Sequence, residues 1–204
     1  MAGIKQVSGR AVALERRDVD TDQIIPASWL KRVERTGFAD GLFSAWRADP
    51  DFVLNQPGAD QGRILVAGDN FGCGSSREHA VWALQDFGFQ AVVAPTFADI
   101  FRGNCISSGL IPAQVTEDSA ARLFAALAAD PAAEVVLDVA ARTVAIPAAG
   151  LSEPFELADF ARWRLLEGLD DVGLTLRHEA DIAAFEAARS SWLPAAAANA
   201  AAAS

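Results

Sequence analysis

Short apolar runs and two kinds of periodicity divide the chain into elements. Gln6 to Leu14 alternates enough to be a strand. Asp18-Val19-Asp20-Thr21-Asp22 follows, dense in turn formers and acids, and Ile24-Ile25-Pro26 then breaks regular structure before Trp29-Leu30. From Gly37 onward, Phe38, Leu42, Phe43 and Trp46 recur at helical spacing. Asn55 to Gly62 is a loop rich in Pro and Gly. Ile64-Leu65-Val66-Ala67 is a short strand of the buried type. A glycine-spaced stretch follows, and Ala80, Ala83, Leu84 and Phe87 then mark a helix from about Ser76 to Phe87, with Gly88 placed to end it. Ala91 to Ala94 is the next strand. This strand-loop-helix-strand order predicts parallel strands joined by a right-handed crossover, the signature of an α/β fold.

Beyond that unit, Ala98 to Phe101 reads as a helical turn ended near Gly103. Glu117 to Ala129 is a helix with Leu123, Phe124 and Leu127 toward the core. Glu134 to Val139 and Thr143 to Ile146 flank Ala140-Ala141-Arg142 as a hairpin. Leu157 to Leu166 and Glu179 to Arg189 are amphipathic helices. Residues 1–193 are read as one domain, and the alanine-rich residues 194–204, which lack periodicity, as a frayed tail. There is no internal repeat.

Composition narrows the function classes. About half of the 204 residues are apolar, enough for a sizeable core. A net charge of −10 argues against a nucleic-acid or membrane-surface partner, because both need a basic face. No apolar run reaches the roughly 18 residues of a membrane span, and Met1 to Gln6 shows no signal-peptide core, so a cytoplasmic protein is expected. Cys73 and Cys105 have no metal-ligand spacing and are too few to hold an iron–sulfur cluster. His79 and His178 add too little for a metal site. Asp18, Asp20 and Asp22 lack the glycine and distal Glu of an EF-hand loop, so a turn with Asx-type hydrogen bonds is expected there.

The densest chemistry lies in Gly68-Asp-Asn-Phe-Gly-Cys-Gly-Ser-Ser-Arg-Glu-His-Ala80. Ser75-Ser76-Arg77-Glu78 fits a capping box, in which a serine would only cap the following helix, and Ser76 is an alternative cap that would free Ser75. Capping leaves the glycines at 68, 72 and 74 and the adjacent arginine unexplained. Glycines let a backbone approach a ligand closely, and an arginine in the first helical turn opposes the helix dipole, a local cost that suggests function. The residues alone thus leave a small-anion site and a plain helix cap equally open. Cys73 is read as a packing residue and the two histidines as structural or surface groups.

Asn70 to Ala80 resembles the small subunit of 3-isopropylmalate dehydratase, within the aconitase superfamily. Asp20-Thr-Asp-Gln-Ile-Ile-Pro26, Arg35-Thr-Gly-Phe38, Ala98-Asp-Ile-Phe-Arg-Gly-Asn104 and Leu169-Asp-Asp-Val-Gly-Leu-Thr-Leu176 resemble further blocks of that family, so the likeness covers roughly residues 5–192. The resemblance implies a swivelling β/β/α domain, as at the C-terminus of aconitase. It would dock on a large subunit that carries a [4Fe–4S] cluster, and this chain would bind no cofactor. It implies interconversion of 2-isopropylmalate and 3-isopropylmalate by dehydration and rehydration, in leucine biosynthesis. By motif, Ser75 aligns with the serine that removes the substrate's carbon-bound proton. Ser76 and Arg77, with the Gly74 backbone, align with groups that bind a substrate carboxylate, and Asp22 lies in the signature near the active site. Lys31 and Arg32 follow that signature and could meet the substrate. Two other readings stay open: a related dehydratase acting on citraconate, methylmalate or a homoaconitate-type substrate, and a swivelling domain that binds a carboxylate without catalysis.

Overall fold

The computed structural model describes residues 3–31 and 35–189. Strands β1 (Gln6–Leu14), β2 (Gly62–Ala67), β3 (Ala91–Ala94) and β4 (Ile111–Gln114) run parallel. Strands β5 (Glu134–Asp138), β6 (Thr143–Ile146) and β7 (Leu151–Pro154) continue the sheet antiparallel from the other edge of β1. The order is β4-β3-β2-β1-β5-β6-β7. Helix α1 (Thr21–Ile24) follows β1, α2 (Glu78–Phe87) joins β2 to β3, and α3 (Asp99–Ser108) joins β3 to β4. Helix α4 (Glu117–Ala129) precedes β5, and α5 (Asp159–Glu167), α6 (Asp171–Leu176) and α7 (Glu179–Ala187) close the described chain.

Strands β2 and β3 are buried on both faces, which is why their sequences are nearly continuous apolar runs, whereas β1 keeps an alternation over its first half. Leu65 and Ala67 of β2 join Val12, Leu14 and Val92 in a core under α2 and α3, with Phe38, Leu42 and Phe43. Ile64 and Val66 face the opposite core, with Val93, Ile111 and residues of α4 and α5. Expected β1, β3 and α4 match the observed spans, as does the hairpin of β5 and β6, where Arg142 takes φ 56° at the turn.

Three expectations are corrected. Residues 38–46 form no α-helix: a 3-10 turn at Ala39–Gly41 leads into irregular turns. Their spacing records burial against α2. Phe43 has φ 47°, and its N–H donates to the Ile24 carbonyl at 2.8 Å, off any helical path. The turn expected to stop near Gly103 runs on as α3 to Ser108 and ends at Gly109. The segment from Glu179 is helical but buries no residue, so no core-facing stripe exists there. The alanine-rich segment 194–204 lies outside the described residues. Among the described residues, no helix is long and apolar enough to cross a membrane.

Candidate functional site

The segments leaving the carboxyl ends of β1, β2 and β3 lie side by side, extending the sheet past its last regular residues. Asp18 N–H donates to the Asp69 carbonyl at 2.9 Å, Gly72 N–H to Val19 at 2.8 Å, and Thr21 N–H to Cys73 at 2.9 Å. On the other side, Phe71 N–H donates to Thr96 at 3.0 Å and Ala98 N–H to Phe71 at 3.1 Å. The glycine-spaced loop is therefore a central extended segment clamped between two others. Ligands of open α/β sheets bind at this end of the strands.

Side chains lock the base of the loop. Asn70 takes φ 57°, and its amide Nδ2 donates to Asp18 at 2.8 Å. Its N–H donates to the Thr96 hydroxyl at 2.9 Å, and that hydroxyl donates in turn to Asp69. The Thr96 hydrogen bond, and then that from Arg17, hold the Asp69 carboxyl below its ordinary pKa. The three acids Asp18, Asp20 and Asp22 have three separate tasks. Asp18 holds Asn70, Asp20 caps α1 in a capping box with Gln23, and Asp22 pairs with Arg77.

The glycines are explained differently from the sequence expectation. A Cβ on Gly68 would lie 2.5 Å from the Arg16 carbonyl oxygen, and one on Gly72 would lie 2.2 Å from the Phe101 ring. These two are demanded by the chain's own packing and not by a ligand. Gly74 has more room: its nearest neighbour would be the Asp20 Cβ at 3.4 Å.

The capping box is not formed. Helix α2 starts at Glu78, its N-cap residue is Arg77, and no side chain caps it. Neither Ser75 nor Ser76 bonds its hydroxyl to any described residue, and both are exposed. Ser75 is held through its backbone, whose carbonyl accepts from the Thr21 hydroxyl at 2.8 Å. Ser75, Ser76, Arg77 and Gly74 line one cleft of about 270 Å³, with Thr21 on one side and Ala98 to Phe101 on the other. Helix α3 begins at that wall, and it too lacks a side-chain cap. Two helix N-termini thus give their positive ends to this cleft. A larger cavity of about 470 Å³ lies beside β1, but it gathers none of these groups.

Arg77 is mostly buried, with its side chain 14% exposed. Its Nη1 pairs with Asp22 and reaches the Ile25 carbonyl at 3.4 Å. No described residue accepts from its Nε or Nη2, so donors of the guanidinium remain for an anion. Asp22 does not line the cleft itself; it meets the site through Arg77. Lys31 closes a 3-10 turn at Ala27–Lys31 as an exposed residue, and Arg32 lies outside the described residues. Thr21 and the Ala98 to Phe101 wall were not singled out as site residues from sequence. Their signals were the blocks resembling the family, Asp20 to Pro26 for Thr21 and Ala98 to Asn104 for the wall.

Cys73 is half-buried beside Asp20 and Asp18; burial first, then those charges, push its thiol pKa up, which suits packing and not attack. Cys105 is fully buried. Among the described residues no three His, Cys, Asp or Glu side chains come together to hold a metal ion. His79 sits in an aromatic cluster, 4.7 Å from Trp82 and 5.3 Å from Phe38 between ring centres. His178 is an exposed partner of Asp181.

The fold and cleft define an α/β domain of the aconitase C-terminal class, and residues 1–118 match the family described as Aconitase C-terminal domain. Residues 171–198 match the family described as the C-terminal domain of the 3-isopropylmalate dehydratase small subunit. The 3-isopropylmalate dehydratase small subunit of Frankia alni is 62% identical over 93% of this chain and 96% of its own length. That of Rubrobacter xylanophilus is 54% identical over 95% and 98%. A crystal structure of 3-isopropylmalate dehydratase from Methanocaldococcus jannaschii superposes with a TM-score of 0.68 and 29% identity, covering 87% of this chain and 98% of that one. The chain belongs to the family of 3-isopropylmalate dehydratase small subunits.

Proposed function

We propose that this chain is the small subunit of a heteromeric hydro-lyase that interconverts 2-isopropylmalate and 3-isopropylmalate in leucine biosynthesis, active only with a large subunit and located in the cytoplasm. One observation carries the site assignment: two serine hydroxyls unclaimed by any described residue share a cleft with a half-satisfied, buried arginine. Relatives of high identity carry the choice of reaction.

In this reading Ser75 removes the carbon-bound proton, while Arg77, Ser76 and the Gly74 backbone hold a substrate carboxylate. Asp22 fixes the plane of the Arg77 guanidinium, leaving its remaining donors pointed at the anion. A serine alkoxide lies roughly six pKa units above neutrality, a cost of about 8 kcal/mol at ~1.4 kcal/mol per unit. Arg77 and the two uncapped helix termini offset part of that cost once a docked large subunit shuts water out of the cleft. Neutralising the substrate carboxylate on Arg77 also acidifies the proton beside it. The residues described here do not fit an iron–sulfur cluster. We place the [4Fe–4S] cluster on the large subunit, where it would supply a Lewis acid for the leaving hydroxyl.

The test is anaerobic reconstitution with the large subunit, following hydration of isopropylmaleate beside that of citraconate. Isopropylmaleate should be preferred. Ser75→Ala should assemble normally and lose turnover by about 10³-fold or more. Turnover retained in an assembled Ser75→Ala enzyme would remove the base assignment. A preference for citraconate would move the reaction to the methylmalate type.

A further inference from the structure

A second cavity belongs to a different part of the molecule and shares no lining residue with the cleft. It measures about 470 Å³ and follows the free edge of β1. Strand β5 pairs with β1 only from Gln6 to Arg10, because β5 begins at Glu134, opposite Arg10. From Ala11 to Leu14, β1 pairs with β2 on one side, while among the described residues no strand lies beside its other edge. That edge is not open surface. It is the floor of a notch walled by Phe124 and Leu127 of α4 on one face of the sheet, and by Val53 and Pro57 on the other.

Arg10 closes one end of the notch. It is half-buried, yet its guanidinium makes no hydrogen bond or ion pair with any described residue. The fold nevertheless makes room for it. A Cβ on Gly58 would fall 1.5 Å from Arg10 Nη1, so the guanidinium lies directly against the loop before β2, where Gly58 takes φ 83°. A cation seated against apolar walls with none of its five donors used calls for an anionic partner.

We propose that this notch is a strand-addition site that receives an extended segment of a partner protein, antiparallel to Ala11–Leu14. The segment would prolong the line of β5, so its C-terminal end meets Arg10, and there it carries a carboxylate. Backbone hydrogen bonds would supply most of the affinity, the apolar walls would take alternate side chains, and Arg10 would fix direction and register.

The experiment titrates the full chain with the peptide acetyl-Val-Thr-Val-Thr-Asp-amide, following calorimetry and amide hydrogen exchange. Three comparisons accompany it: the peptide ending in Asn, the peptide N-methylated at alternate amides, and octanoate. Saturable binding with slowed exchange within Ala11–Leu14 is expected. It should weaken about tenfold with the Asn peptide or in the Arg10→Gln chain, and vanish with N-methylation. Arg10 has no partner to lose, so Arg10→Gln should unfold at the same denaturant concentration; the Asn peptide tests the charge on the unaltered chain in any case. No binding at millimolar peptide overturns the proposal. Binding indifferent to the carboxylate or to N-methylation overturns it too, as does tighter binding of octanoate, which would make the notch a small-carboxylate pocket.

Discussion

Ser75 and Ser76 leave α2 uncapped, so replacing Ser75 tests chemistry without disturbing the fold. Ser75→Ala should change unfolding stability by less than about 0.5 kcal/mol, whereas a capping serine would cost about 1 kcal/mol. Denaturant titration of the isolated chain decides between them. The glycines behave oppositely. Gly72 has φ 76°, and its absent Cβ would collide with Phe101. Gly72→Ala should cost about 2–5 kcal/mol, combining ~1–2 for a left-handed residue with ~1–3 for overpacking. Gly74→Ala, at φ 89° with space around it, should cost only about 1–2 kcal/mol by the same measurement. Ser75, Ser76 and Arg77 were legible in sequence because they are contiguous and surrounded by glycines. The pairing of Arg77 with Asp22, and the Phe101 ring that dictates Gly72, join distant parts of the chain and leave no local pattern.

Among the elements, those missed or misread from sequence share a cause: tertiary position overrode local preference. Strand β4 contains Pro112, which argues against a strand, but β4 is at the edge of the sheet, where a missing N–H is tolerated. Strand β7 ends at Pro154 on the opposite edge for the same reason. Gly103 suggested a stop, yet it lies exposed within α3 with nothing within 4 Å of a Cβ placed there. Gly103→Ala should therefore stabilise the chain by about 0.5–1 kcal/mol, measurable as a raised unfolding midpoint. Helix α4 is held to β7 by a buried carboxylate. Glu153 accepts two hydrogen bonds from Arg122 at 2.7 and 2.8 Å and one from the Ser119 hydroxyl at 2.6 Å. The Arg122 bonds first, then Ser119, lower its pKa to about 2. The folded value is below the unfolded one of about 4.3, so the stabilisation is complete above that pH and fades as pH falls toward 2. Glu153→Gln should destabilise the chain at pH 7 by about 1–3 kcal/mol, with the gap to wild type closing across this acid range. A gap that stays constant from pH 7 to pH 2 would contradict the assignment.

At the scale of the whole molecule, the two family matches fall on parts held by different forces. The stretch matching the aconitase C-terminal domain contains the parallel strands and the cleft, fixed by side chains buried on both faces of the sheet. The second match starts at residue 171, where burial stops: α6 and α7 contain no buried residue, and Val172, Leu176 and Phe185 are more than half exposed. What ties α6 down is polar and local. Arg164 donates to Asp171 at 2.8 Å, Asp170 caps the helix, and Arg177 lies 5.1 Å over the Trp163 ring. Helices of six and nine residues are too short to persist on propensity alone. Without buried apolar contacts they should open without unfolding the sheet. In the isolated chain, amide exchange in α7 should therefore be at least about 100-fold faster than in β2, β3 or α4. Denaturant well below the global midpoint should leave the α7 rate unchanged, since its opening exposes little new surface. Exchange in α7 as slow as in β2 would show that these helices belong to the same cooperative unit as the cleft. A fast-opening α7 would instead leave the sheet as the support of the glycine-spaced loop, so that the loop's shape depends on Thr21, Asn70 and Phe101 and not on the C-terminal helices.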